Sequence, residues 1–428
     1  MHSMRRSILA IALPAIASNI TTPLLGLADS AISGHIGAAV YLGAIAVGGT
    51  VFNMLYWVLN FLRMGSGGLT AQAHGAGDAE AAGLVLWRGM LLGALLGLVL
   101  IAAADVLAPL AVGFLDTEGA TAQLAQRYFM IVVWGAPAVL CSYVLTGWFL
   151  GMHNTRATMW MALLTNVVNL VVSVALVFGA GWKIDGVATG TLVAQWCGLA
   201  LGLAMLRRYR PRRASLRTLL RGDGLRRYFS INADIMLRTL CLVAVTGWFT
   251  RSGTRMGVDT LAANALLMQL FMLFSYFMDG FAYAGEALGG SLYAAGRRRS
   301  LERLATSLLR IGLSMASLFT IIYIVGGHRL LGLLTDQPRV VECAVTYLPW
   351  ASAVPLCGVW AFVWDGIFIG LTRTRAMLAA VAAAMVVFFA TWMCTQAMGN
   401  HGLWLAFCLY LLTRGIVEWA VFRYGKRY

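Results

Sequence analysis

Asp29 lies in LLGLADSAISGHIG, residues 24–37, within a run of apolar and small residues that begins at Ile8. A charged side chain in the middle of a lipid-embedded helix costs about 3 kcal/mol on insertion scales. The carboxyl is therefore either satisfied by packing or put to use. Other acids sit in similar surroundings: Asp279 and Glu286 in SYFMDGFAYAGEALGG, Asp365 in WAFVWDGIFIG and Asp234 in NADIMLRTL. Desolvation favours the protonated form of a carboxyl, so such groups can take up and release protons. Flanked by aromatic residues, they can also bind organic cations.

The elements that must hold these acids follow from composition. Of 428 residues 60% are hydrophobic and only 11% are charged, where a soluble domain carries about a quarter charged residues. Apolar runs long enough to cross a bilayer recur from end to end, which makes the chain an all-α polytopic membrane protein. The basic start MHSMRRSILAIALPAI reads as a first span and not a cleaved leader, because the apolar run outlasts a signal-peptide core. Twelve spans are expected, at 8–32, 42–64, 84–112, 125–150, 157–180, 186–206, 231–252, 261–290, 301–326, 341–370, 375–398 and 402–422. The seven cysteines are scattered singly, without a C-x-x-C pair, and read as small buried hydrophobes with no metal or disulfide role.

The net charge of +15 is carried by alternate loops. Arg5 and Arg6 precede the first span, RRYRPRRASLRTLLRGDGLRRYF follows the sixth, and Arg297–Arg299, Arg373, Arg375 and Arg423 follow later even-numbered spans. Both termini and the long connection are thus expected in the cytoplasm, and the bilayer, not nucleic acid, is the partner of this charge. The connection divides the chain into a six-helix lobe at 1–206, a basic linker at 207–230 and a second six-helix lobe at 231–428. A shift of 219 residues places Leu42 on Leu261, Ala46 on Ala265, Phe52 on Phe271, Ala76 on Ala295 and Gly77 on Gly296. Parallel repeats of this kind typify secondary transporters. No Walker A motif occurs, so an ion gradient is the expected energy source.

LPAIASNITTPLLGLADSAISGHIG, YLGAIAVG, FLRMGSGGLTAQAHGAG, NADIMLRTL, DGFAYAGEALGG and DGIFIGLTRTRAM occur in this order over essentially the whole chain. The combination resembles the multidrug and toxic compound extrusion (MATE) transporters, and within them the DinF-like branch. The resemblance implies an exporter of two six-helix lobes around a central cavity. Such a protein moves organic, often cationic and amphipathic compounds outward by alternating access, in exchange for H+ or Na+, without enzymatic activity or a bound cofactor. It also implies a bacterial cytoplasmic (inner) membrane, and because the two-lobe repeat needs no partner chain a monomer is expected. A lipid-linked precursor flippase of the same superfamily is the alternative, and it would call for a strongly basic cavity.

On a 3.6-residue helix Thr22, Gly26, Asp29 and Ser33 share one face, and Pro23 is expected to kink the helix just before the carboxyl. Asp29 is about 33 Å of helix from Ser7, toward the outer leaflet. Thr165, Asn169 and Ser173 form a second polar stripe on the fifth span. In the family's pattern the ion site combines the first-helix Asp with an Asn and, four residues later, an Asp on helix five, plus a Thr on helix six. Asp29, Asn169 and Thr191 fit those positions, and Ser173 stands where the second carboxylate is expected. One carboxylate favours H+ over Na+ as the coupling ion. In the second half Asp279, Glu286 and Asp365 are candidates for a substrate cavity, with Tyr283, Trp364, Phe281 and Trp360 as aromatic walls and Met54 and Met268 as adaptable lining. Asp234 and Arg238, four residues apart, can pair within one helix as a structural or gating element. The basic residues singled out within the spans are Arg63 and Arg238, and His74 is read as structural.

Overall fold

The structure is a computed structural model and describes residues 2–34, 39–115, 118–211, 215–220 and 222–424, which contain helices and no strand. In chain order the helices are α1 (His2–Gly34), α2 (Ala39–Leu59), α3 (Phe61–Gly75), α4 (Ala79–Ala102), α5 (Ala104–Phe114), α6 (Gly119–Val132), α7 (Ala136–Gly151), α8 (Thr155–Val174), α9 (Lys183–Leu206), α10 (Leu216–Leu219), α11 (Asp223–Arg255), α12 (Val258–Ala294), α13 (Arg298–Leu334), α14 (Pro338–Gly370), α15 (Thr374–Thr395) and α16 (Asn400–Tyr424). Eleven stretches among the described residues are long and apolar enough to cross a bilayer, and α1 is a further helix of 33 residues.

Several spans differ in extent from the sequence reading. The second runs from Val40 to Gly75 as α2 and α3 with a break at Asn60, well past the expected end at 64. The glycines of GSGGLTAQAHG do not stop the helix, because Gly65, Gly67 and Gly68 are buried in packing. Away from water a helix is the available way to satisfy the backbone. The third and fourth spans are likewise broken, at Ala103 and around Val133–Gly135. The seventh begins at Asp223, eight residues before the expected 231, because its first turns find polar partners. Arg227 donates to Gln72 Oε1 at 2.8 Å, the Tyr228 hydroxyl lies 3.2 Å from that of Ser66, and Asn232 Nδ2 donates to the Tyr228 carbonyl at 2.8 Å.

The chain forms two compact units, Ala17–Asn232 and Met1–Ile16 with Ala233–Tyr428. Each crossing between them falls inside a helix, α1 or α11, and not in a loop. In the first unit α7 packs on α3 and α4, and α8 packs on α9. In the second, α14 packs on α12, α13 and α16, while α15 packs on α16. Residues of α1 before the crossing belong to this second packing: a Cβ on Gly280 would come within 2.9 Å of the Ala12 carbonyl oxygen.

The two units repeat each other atom for atom at their closest helix contacts. A Cβ on Gly151 would sit 2.7 Å from the carbonyl oxygen of Gly67 and 2.8 Å from the amide nitrogen of Ala71. A Cβ on Gly370 would collide with the carbonyl oxygen of Glu286 and sit 2.8 Å from the nitrogen of Gly290. The same shift of 219 residues carries each member of the first contact onto the second. Gly147 against the Arg63 carbonyl becomes Gly366 against the Ala282 carbonyl in the same way. The turns repeat too: Gly77 and Gly296 have φ of 73° and 67°, and His153 and Thr372 have φ of 60° and 52°. The first pair is glycine because an L side chain is strained there.

Alanine at Gly151 or Gly370 must push two backbones apart, and overpacking of this kind costs about 1–3 kcal/mol. Gly326 has nothing within 4 Å of its would-be Cβ. In detergent, G151A and G370A are expected to lower the midpoint of thermal unfolding clearly, and G326A to leave it unchanged or raise it. Equal shifts at all three positions would refute the close-contact account.

Candidate functional site

In the first unit the polar residues expected on the fifth and sixth spans meet. Asn169 and Ser173 occupy one face of α8, buried against α9, and Thr191 lies on α9. The Ser173 hydroxyl donates to Asn169 Oδ1 at 3.4 Å, Asn169 Nδ2 donates to Thr191 Oγ1 at 3.1 Å, and Thr191 donates to the Val187 carbonyl at 3.0 Å. The result is a directed chain of neutral hydrogen bonds across the α8–α9 contact. Gly190 makes it possible, since a Cβ there would come within 2.8 Å of the Ser173 nitrogen. Thr165, on the same face of α8, turns back to the Met161 carbonyl at 2.9 Å instead of joining the chain. Asp29 belongs to α1 and to this same unit. Its side chain, with those of Thr22 and Ser33, lies outside those described. Pro23 is exposed, and α1 continues past it to Gly34.

In the second unit the charged residues converge on Asp365. Its Oδ2 accepts from Nη2 of both Arg238, on α11, and Arg414, on α16. Arg238 therefore reaches across to α14, while Asp234 accepts from the Thr374 hydroxyl at 2.7 Å. Tertiary partners have taken over from the i,i+4 arrangement that spacing suggested. Arg414 and Glu418, both within the expected span 402–422, had not been singled out. A second and a third intramembrane arginine thus face one aspartate, and Glu418 is fully buried beside them. The signal was present in LLTRGIVEWAVFRY as an Arg and a Glu four residues apart.

The residues expected at a substrate cavity fall on neighbouring helices, Met268, Asp279, Tyr283 and Glu286 on α12 and Trp364 and Asp365 on α14. Glu286, Trp364 and Asp365 are buried, whereas Met268, Asp279 and Tyr283 are half-buried. Trp364 packs on Phe422 with ring centroids 4.7 Å apart. Phe281 is buried and Trp360 half-buried. Met54 belongs to the other unit, where it is half-exposed on an apolar groove of about 430 Å³ with Val51, Leu55, Leu107 and Phe129. Buried Arg63 lies on α3. Exposed His74, at the end of α3, meets the ring of His153 edge-on at 4.9 Å. Among the described residues no group of three or more His, Cys, Asp or Glu could hold a metal ion.

With this geometry in view, the comparisons with known proteins agree with one another. The MatE family model matches residues 14–175 and 235–391, one stretch in each half. The chain is 38% identical over 427 residues to DNA damage-inducible protein F of Escherichia coli K12, covering 99% of this chain and 93% of that one. It is 25% identical to a probable multidrug resistance protein NorM of Rhizobium meliloti, covering 99% and 94%. Among solved structures, a MATE protein in its bent conformation superposes with a TM-score of 0.88 at 17% identity, over 98% of this chain and 95% of that one. The chain belongs to the MatE family, the MATE transporters, and within it is akin to the DinF protein.

Proposed function

We propose that the protein exports organic, often cationic and amphipathic compounds across the cytoplasmic membrane by alternating access, driven by protons through Asp29. Both termini face the cytoplasm, and the monomer is the working unit. The observation that carries the choice of ion is the neutral chain Ser173–Asn169–Thr191. Sodium is held by several oxygens with compensating negative charge, as hard cations generally are. Here the amide and hydroxyl oxygens are already engaged with one another, and Asp29 is the one carboxyl among the four coupling positions. A proton needs no more than that one group.

The coupling follows from differential affinity. A carboxylate at Asp29 gains from the second N–H of the Asn169 amide, the donor that the hydrogen-bonded chain leaves over, and a protonated carboxyl gains less. Protonation therefore shifts the balance between two packings of α1, and a substrate favoured by one of them is released in the other. Asp279 attracts the cationic part of the substrate, with Tyr283 beside it for cation–π contact. Multidrug names among the relatives are in keeping with this breadth of substrate.

Inverted membrane vesicles given a fluorescent cationic dye from the outside separate the ions. A pH gradient, acid inside, is expected to drive dye uptake without Na+, and a Na+ gradient at equal pH is expected to drive none. Asp29→Asn should abolish uptake at least tenfold with the protein present in normal amount. Uptake driven by Na+ alone, or D29N still coupled to pH, would sink the reading. Asn169→Ala breaks the hydrogen-bonded chain and should weaken the dependence of uptake on the pH gradient several-fold. A wild-type dependence in N169A would show that the chain plays no part in coupling.

A further inference from the structure

The Arg238–Asp365–Arg414 cluster leaves one of its neighbours unexplained. Glu418 is 0% exposed, and neither of its carboxyl oxygens has a hydrogen-bond partner. It lies one helical turn beyond Arg414 on α16, yet the Arg414 Nη2 points at Asp365, and its Nε is left without an acceptor. A buried anionic carboxylate held this way, with no protein donor on either oxygen, is strongly disfavoured. A proton on the carboxyl removes that cost.

The charged and titratable groups around Glu418 can be named by element. On α16 itself they are Arg414 and the buried Tyr410 hydroxyl. From α11 comes Arg238 and from α14 comes Asp365, which holds both arginines. From α12, Asp279 acts on Arg414. The titratable residues of α15, Arg375 and Cys394, are exposed and add none. Two guanidinium groups therefore share one carboxylate while a second carboxyl stands beside them unused.

We propose that Glu418 is a proton-binding site of the second unit, with Arg414 exchanging between Asp365 and Glu418 as that proton leaves and returns. In the arrangement described, Glu418 is neutral and both arginines hold Asp365. When the carboxyl O–H of Glu418 gives its proton to water, the new negative charge recruits Arg414 across the i,i+4 spacing. Arg238 stays with Asp365. Arg414 remains protonated throughout, so one proton leaves and one ion pair changes partner. Glu418 and Asp365 lie within the last two turns of α16 and α14, at the ends that carry Arg423 and Arg373. Loss of the proton thus loosens α14 from α16 at one end only.

The proposal concerns a site separate from Asp29 and is tested by protonation rather than transport. Infrared spectra of the full-length protein in detergent are recorded across a pH titration in H2O and D2O. The wild type should show a protonated-carboxyl stretching band at neutral pH that shifts in D2O and is lost as pH rises. Glu418→Gln should lack that band and Asp29→Asn should keep it. The band's absence from the wild type, or its persistence in E418Q, would overturn the proposal. Should E418Q fold poorly, Arg414→Gln decides: with the cation gone, the band should persist to higher pH than in the wild type. An unchanged midpoint in R414Q would equally overturn it.

Discussion

Backbone-to-backbone contact at glycine is the constraint on which both units are built. In lipid, helices gain little from burying apolar surface against one another, so close packing must supply the attraction. Gly147 and Gly151 bring α7 onto α3, and Gly366 and Gly370 bring α14 onto α12. Once those backbones touch, the facing of every other residue on the four helices is fixed. Asp365, next to Gly366, faces the arginines of α11 and α16. The charged cluster is a downstream result of where glycine allows contact.

The backbone repeats, and the chemistry does not. At the 219-residue shift, Asn169, Ser173 and Thr191 of the first unit correspond to Phe388, Trp392 and Tyr410 in the second. Conversely Arg238, Asp365, Arg414 and Glu418 correspond to Asn19, Thr146, Gln195 and Leu199. Each unit has polar function where the other has neutral or apolar filling. One scaffold therefore carries a neutral hydrogen-bonded chain in one copy and a compensated ion cluster in the other.

Much of this was legible in the sequence because it rests on periodicity. The repeat offset, the membrane class and the shared face of Asn169 and Ser173 follow from spacing along helices, which a bilayer makes nearly obligatory, while Thr191 joined them through the family resemblance. What escaped depends on contacts between helices far apart in the chain. Spacing suggested Arg238 for Asp234, and the fold gave it to Asp365. Arg414 and Glu418 stand near a basic chain end, where charges usually meet water, so nothing local marks them as buried. The early start of α11 depended on Ser66 and Gln72, more than a hundred residues upstream. The breaks at Asn60 and Ala103 lack a proline or any other strong local breaker.

The passage of the chain between units inside α1 and α11 has a consequence for biosynthesis. Residues 2–16 leave the ribosome before residues 17–232, but the helices they pack with are made only from residue 233 on. The opening segment must therefore wait in the membrane through synthesis of the entire first unit before its neighbours exist. Assembly cannot finish one half and then the other. These turns are locked in place only once the second unit is made, and a nascent chain stalled midway would expose them to the quality-control machinery.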